Sequence, residues 1–152
     1  MTEPTVHCPH LLVCRSVWHD GRRPELGYSL GGIHTCLEPA DGLGYPFRLE
    51  RMYVYAQLWG DGGEYRPHVR LVKIDSYGYD EDVETPLGNE GEARSFPMPT
   101  KRPVTITGLD YIVEVAFPIF LVPFFEPGIY EFQLWIDDVE LPVGRERIHL
   151  RG

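Results

Sequence analysis

Seven residues among the first 36 carry side chains that bind metals or act as nucleophiles: His7, Cys8, His10, Cys14, His19, His34 and Cys36. They include all three cysteines and four of the six histidines. If the chain turns back near Arg22, residues whose numbers sum to 44 face one another across an antiparallel hairpin. Cys8 then lies opposite Cys36, and His10 opposite His34, with all four on one face. Opposed positions sit about 5 Å apart and same-face neighbours about 7 Å. This spacing lets Cys8, His10, His34 and Cys36 converge on a tetrahedral structural zinc. The register carries the whole reading, because a slip of one residue sends the ligands to both faces. No CxxC pair supports it. A Cys8–Cys36 disulfide and a set of buried thiols with half-exposed imidazoles are the alternatives. Cys14, inside an apolar run, reads as an inert core residue.

Covalent catalysis needs a thiolate or hydroxyl with a base in reach. Cys8 near His10 and Cys36 near His34 meet that requirement only in composition. No G-x-S-x-G elbow, Walker loop, dinucleotide fingerprint or HExxH is present, so composition alone supports a small hydrolase. Residues 75–92 hold Asp75, Asp80, Glu81, Asp82, Glu84, Glu90 and Glu92 with no basic residue. This predicts a mobile acidic excursion over 75–95. Its spacing matches no EF-hand loop, so a solvated loop, or one that meets a basic protein surface, is expected over a calcium site.

The expected contact surface is aromatic: Phe117, Phe120, Phe124 and Phe125, joined by Trp59 and Trp135. Aromatic groups rimmed by charge are what subunit and partner interfaces bury. The competing reading makes the 117–125 run core plus a Pro-shaped crossover. The C-terminal Leu150-Arg151-Gly152 is similar to the processed tails of ubiquitin-like modifiers. That fold needs a central helix, and no stretch here shows apolar residues at i, i+3, i+4 and i+7 free of Gly and Pro. Only a short helix near Leu109 to Val115 fits.

The elements that must position these groups are strands. The clearest is Gly128 to Ile136, where Tyr130, Phe132, Leu134 and Ile136 share one parity and Glu131, Gln133 and Trp135 the other. Asp137-Asp138 then predicts a tight turn into a second run through Val139, Leu141 and Val143. Arg48 to Trp59 alternates likewise, with Met52, Val54, Ala56 and Leu58 on one face. Gly60-Asp61-Gly62-Gly63 predicts a hairpin back along Tyr65 to Ile74, with a bulge or twist near 71–72 where the parity slips. Leu11 to Trp18 and Leu26 to Leu37 form the first hairpin, and Gly31-Gly32 inside it marks a bulge or a close backbone approach. Val104 to Thr107 is a short strand, and another begins near Tyr111.

The 152 residues suit a single domain spanning 1–152, and the 16 Gly and 14 Pro favour many turns over long helices. About eight strands at this spacing predict an all-β, two-sheet antiparallel β-sandwich, immunoglobulin-like or similar, with little or no helix. A net charge of −9 argues against nucleic acid as a partner. No apolar run reaches the roughly 20 residues of a membrane-spanning helix. The polar N-terminus and the three cysteines predict a cytoplasmic protein.

The first strand, the return strand Ser29-Leu30-Gly31-Gly32-Ile33 and the closing Pro127-Gly128-Ile129-Tyr130-Glu131-Phe132 with Asp137-Asp138 resemble a group of small bacterial β-sandwich proteins of unknown function. The resemblance implies a fold and a bacterial source, and no activity. The expectation is therefore a non-enzymatic protein-interaction or assembly module of the bacterial cytoplasm, acting on a protein partner or on further copies of itself and needing no cofactor. A zinc-stabilised domain using the four Cys and His ligands, and a modifier using Gly152, are the alternatives.

Overall fold

The computed structural model describes residues 5–19, 27–39, 44–74, 84–86, 94–96, 103–108, 112–136 and 142–151. Its strands, in chain order, are β1 (Val6–His19), β2 (Tyr28–Ile33), β3 (Cys36–Leu37), β4 (Phe47–Gly60), β5 (Gly63–Tyr65) and β6 (Pro67–Ile74). There follow β7 (Glu84–Pro86), β8 (Arg94–Phe96), β9 (Val104–Ile106), β10 (Val113–Phe124), β11 (Gly128–Ile136) and β12 (Gly144–Leu150). No helix occurs among the described residues. A four-stranded sheet, here sheet A, runs in the order β10-β4-β1-β2. Sheet B has six strands, ordered β3-β12-β11-β6 with β7 and β8 both on the far edge of β6. Among the described residues these two sheets hold ten strands, against about eight expected, and β5 and β9 pair as a separate ribbon. All pairings are antiparallel except β3 with β12.

The period-two patterns choose the buried faces as expected. Met52, Val54, Ala56 and Leu58 of β4 are fully buried, paired on one side with Leu11 and Val13 and on the other with Val115, Phe117 and Ile119. Tyr130, Phe132, Leu134 and Ile136 of β11 are buried from the second sheet, with Leu71, Val69 and Ile148 beside them. Both sets belong to a single hydrophobic cluster, which is the core. Each large side chain withdrawn from water there contributes about 1.5–3 kcal/mol.

The partners of the strands differ from expectation in several places. The run 60–63 is not a hairpin turn: β4 pairs with β1 and β10, whereas β6 pairs with β11, so the chain leaves sheet A at Gly60 and enters sheet B at Pro67. A Cβ on Gly60 would lie 2.2 Å from the Thr5 carbonyl oxygen, so the crossing requires glycine. The expected bulge at 71–72 is absent on the β11 side, where pairing runs unbroken from Ile129–Ile74 to Ile136–Pro67. The slip in parity coincides instead with a change of neighbour on the other edge, where Leu71 pairs with β8 and Val72 with β7. Residues 84–86 and 94–95 of the predicted acidic excursion are therefore strand, and its remaining acidic positions lie outside the described residues.

In the closing hairpin β11 pairs with Gly144–Leu150, Tyr130 opposite Ile148 and Leu134 opposite Gly144, and the Val143 N–H donates to the Leu134 carbonyl at 2.8 Å; Val139 and Leu141 lie outside the described residues. The Asp137-Asp138 turn lies outside the described residues. Val113 to Val115, within the possible helix, belong to β10. The Gly31-Gly32 expectation of close approach is met: a Cβ on Gly31 would fall 2.8 Å from the Trp18 ring, and Gly32 has φ +64°.

Candidate interaction surfaces

The first hairpin has a different register from the one on which the metal reading rests. Cys14 pairs with Ile33, Ser16 with Gly31 and His19 with Tyr28, so paired numbers sum to 47 and not 44. The shift is odd, so it reverses which faces meet. Moreover β2 stops at Ile33, and Cys36 belongs to β3 in the other sheet, beside His149. Cys8 turns inward against the core, where a Cβ on Gly144 would lie 2.8 Å from its Sγ. His10 is exposed opposite Gln57, and the His34 backbone N–H donates to the Val13 carbonyl at the crossing between sheets. The four side chains are thus not brought together. No cluster of three or more His, Cys, Asp or Glu arranged for a metal occurs among the described residues. All three cysteines are free.

The thiols of Cys8 and Cys14 are not poised as nucleophiles. Burial pushes Cys8 up to about 11, only partly opposed by backbone hydrogen bonds at His10 and Gln57. Burial also raises Cys14, which is buried opposite Tyr53 on the outer side of sheet A. A catalytic cysteine needs the opposite shift.

Structure divides the six aromatic residues of the expected contact surface. Phe117 and Phe124 are core residues, Phe124 meeting Tyr130 edge to face at 5.2 Å, which corrects the expectation for these two. Phe120 and Phe125 are exposed, at 56% and 44%, and Leu121 joins them at 56%. The cause is a break in the alternation of β10. Phe117 and Ile119 face inward, then Val122 and Phe124, and between them Leu121 adopts φ +55°. β4 breaks in step, with Met52 inward and both Arg51 and Glu50 outward. Phe120 and Leu121 are therefore consecutive and both outside, with exposed Arg51 opposite Phe120 and exposed Arg48 opposite Pro123. Every position from Phe117 to Phe125 is apolar or proline, so no contrast in the sequence marks this turn-out. Trp59 lies on the outer side of sheet A, stacked on His7 at 4.5 Å.

Trp135 belongs to a different and unforeseen arrangement on the outer face of sheet B. Glu131, which alternation would place in solvent, is only 1% exposed. Its Oε1 accepts from Gln133 Nε2 at 2.9 Å and from Arg145 Nη1 at 3.2 Å, and its Oε2 accepts from Arg147 Nε at 3.1 Å. The Gln133 carbonyl in turn accepts from Trp135 Nε1 at 3.1 Å. Arg70 stacks its guanidinium 4.3 Å from the centre of the Trp135 ring, and His68 lies nearly parallel to the same ring at 6.2 Å. Register explains the gathering: Glu131 sits between Val72 and Arg147, Gln133 between Arg70 and Arg145, and Trp135 beside His68. No sequence pattern marks it, since these residues come from three separate strands.

On the outer side of sheet A, Tyr55 donates to Glu114 and accepts from Gln57 Nε2 at 3.0 Å, while Tyr28 meets its ring edge-on at 6.0 Å. Burial, then the Glu114 carboxylate, pushes the Tyr55 phenol up to about 12. At the C-terminus Leu150 is in the core, the Arg151 N–H donates to the Leu37 carbonyl at 2.9 Å, and the Arg151 carbonyl accepts from Tyr45. The chain is thus held in place up to the residue before Gly152, which lies outside the described residues.

No family model matches the chain, and no curated protein matches it in sequence. Solved structures do match in fold. The alkylpurine DNA glycosylase AlkC of Pseudomonas fluorescens, bound to DNA containing an abasic site analog, aligns with TM-score 0.53 and 11% identity over 97% of this chain. A GH3 beta-glucosidase of Bifidobacterium adolescentis aligns with TM-score 0.50 and 9% identity over the same share. The chain spans only 30% and 17% of those two proteins. At such identity the likeness concerns the fold alone. No described helix is long and apolar enough to cross a membrane.

Proposed function

We propose that this chain is a non-enzymatic protein-interaction or assembly module, built as a two-sheet β-sandwich of immunoglobulin-like kind. The observation that carries the reading is the exposed group Phe120, Leu121 and Phe125, with Arg51 and Arg48 beside it. A leucine in a left-handed conformation costs about 1–2 kcal/mol relative to the ordinary regions. Here that conformation turns two consecutive apolar side chains outward, where they gain no core packing. Strained backbone that displays apolar groups is found where the display serves binding. Arginine next to aromatic residues has the composition of interface hot spots. The free state of all three cysteines supports a reducing compartment such as the bacterial cytoplasm.

Native mass of the purified protein, compared with a Phe120→Ser/Leu121→Ser variant, tests the reading. A symmetric oligomer that the double substitution converts to monomer supports assembly through this group. A wild-type monomer with no partner recovered by cross-linking from the source cell, or an oligomer indifferent to the substitutions, overturns it. Metal content recorded on the same sample tests the zinc alternative, which requires one zinc per chain.

A further inference from the structure

We infer that the open edge of β2 is a site of strand addition, independent of the Phe120 group, and that it takes an extended segment of a partner protein in which an acidic residue directly precedes an aromatic one. Sheet A ends in β10 on one side and in β2 on the other. Pro118 and Pro123 interrupt β10, a common guard of an exposed edge. Tyr28–Ile33 holds neither proline nor charge, and no described strand lies beyond it.

One bond settles which backbone groups face outward. The His34 N–H donates to the Val13 carbonyl at 2.7 Å, so these two residues form a hydrogen-bonded pair. The register holds from Cys14 opposite Ile33 to His19 opposite Tyr28, and antiparallel pairs alternate between bonded and non-bonded. Tyr28 and Leu30 therefore bond to β1, while Ser29 and Gly31 turn their N–H and C=O groups to the open edge. Ser29 is exposed and Gly31 half-exposed. Among the described residues the Gly31 carbonyl meets only Ser16 Oγ, at a long 3.5 Å. An extended backbone laid along the edge satisfies both residues as a neighbouring strand does.

The side chains beside the edge select the segment. A Cβ on Gly31 would fall 2.6 Å from Ser16 Oγ and 2.8 Å from the Trp18 ring, so the ring lies across Gly31 and is left 60% exposed. A residue opposite Gly31 on the added strand shares this face. With no side chain between them, an aromatic group there packs on the indole. On the other face, Arg15 Nε lies 3.4 Å from where a Cβ on Gly32 would stand. Arg15 is exposed and enters no ion pair among the described residues. Gly32 leaves the extended region with φ +64°, so the added ladder rests on Ser29 and Gly31, and Arg15 stands at its end. The far end is negative, because the Glu114 carboxylate lies against Gly27. Consecutive strand residues face opposite sides. In an antiparallel segment, the residue that meets Arg15 is therefore the one just before the aromatic.

The test uses the full chain and a blocked octapeptide with Glu-Phe at its centre and threonine elsewhere. The comparisons are Phe-Glu, Gln-Phe, and Glu-Phe methylated on the phenylalanine nitrogen. Binding is read by calorimetry and by the Ser29 and Gly31 amide signals in NMR. The Glu-Phe peptide is expected to bind, to move both signals and to slow their hydrogen exchange. Methylation removes the N–H that bonds the Gly31 carbonyl and is expected to weaken binding at least about tenfold. Trp18→Ser should weaken it about fivefold or more. Reversal of the pair and Arg15→Gln should each weaken it about twofold to fivefold, the worth of an exposed ion pair, and Arg15→Gln should leave the Gln-Phe peptide unaffected. Trp18 and Arg15 are exposed, so both variants are expected to fold as the wild type does.

Absence of binding, equal binding of the methylated or the reversed peptide, or binding that leaves the Gly31 amide unmoved would each overturn the proposal. So would a chain that is already dimeric with its Gly31 amide protected, since a second copy would then hold the edge. The Phe120→Ser/Leu121→Ser protein should bind the peptide like the wild type, so failure here and failure of the assembly reading are separately visible.

Discussion

Glu131→Gln tests whether the buried carboxylate under the arginines holds sheet B together. The substitution keeps size and shape and removes the charge. Three hydrogen bonds end on Glu131; the one from Gln133 becomes neutral and falls from about 1.5–3 to about 0.5–1.5 kcal/mol, while the two from arginine stay charge-assisted and lose the ion pairing, about 1 kcal/mol each. The gross loss is therefore about 3 kcal/mol. Part is returned, because a neutral amide is less costly to bury than a carboxylate. Part is added, because the new NH2 must point at a donor: Arg145 and Gln133 meet one oxygen and Arg147 the other. Arg147 is half exposed and can swing into water, so the amide is expected to turn its NH2 that way.

The net cost should be about 2 kcal/mol. With a urea m-value of about 2 kcal/mol per molar, the unfolding midpoint should fall by about 1 M at unchanged m. Arg147→Gln alone should cost less, and the double variant should show a coupling of about 0.5–1.5 kcal/mol. A midpoint unchanged in Glu131→Gln, or strictly additive effects in the double variant, would refute the view that this network is stabilising.

Three further outcomes follow from geometry already described. Gly144→Ala should destabilise by about 1–3 kcal/mol because its Cβ meets Cys8 Sγ at 2.8 Å; adding Cys8→Ala should restore part of the loss in thermal melting, and no rescue would mean that the clash lies elsewhere. Leu121→Gly should leave stability unchanged or raise it by up to about 1 kcal/mol, since φ +55° suits glycine and little packing is lost; a fall of about 1 kcal/mol or more in urea unfolding would show that Leu121 packs. Cys8 at about 11, and Tyr55 and Tyr130 at about 12, are all raised mainly by burial from 9.0 and 10.0, so the folded chain holds these protons longer than the unfolded one. Their contribution to stability is whole below about pH 9 and is lost as the pH climbs through 11 and 12. Tyr55→Phe should flatten that alkaline decline in urea midpoints measured from pH 8 upward, and an unaltered slope would remove Tyr55 as a cause.

The faces of the main strands were legible because period two depends only on which side is wet. Tyr130, Phe132, Leu134 and Ile136, and Met52 to Leu58, fall where their spacing puts them. Pairing was not legible. Gly60 to Gly63 carries every mark of a hairpin turn, yet the strands it joins lie in different sheets. Glycine there answers the closeness of the Thr5 carbonyl, and local composition does not distinguish a turn from a crossing. The register assumed for the Cys and His residues differs from the structure for a related reason, since register is fixed by distant neighbours such as β4 alongside β1. Glu131 and Gln133 read as solvent-facing because alternation with polar residues marks a wet side, whereas both are buried, Glu131 in bonds to Arg145 and Arg147.

The parallel pairing of β3 with β12 bears on how the chain is made. Cys36 and Leu37 find their neighbours at His149 and Leu150, and Tyr45 reaches Arg151 across 106 positions. Likewise β4 waits for β10, and β6 waits for β11. During synthesis from the N-terminus, the apolar faces of β4 and β6 therefore emerge long before the strands that flank them. Contacts of such separation form slowly, and exposed strand edges associate in the interval. Polypeptides that stop short of Gly128 would lack the central strand of sheet B and its partner β12 together. They are expected to be aggregated or degraded, not to persist as half-built domains, and pulse labelling of staged truncations would show it.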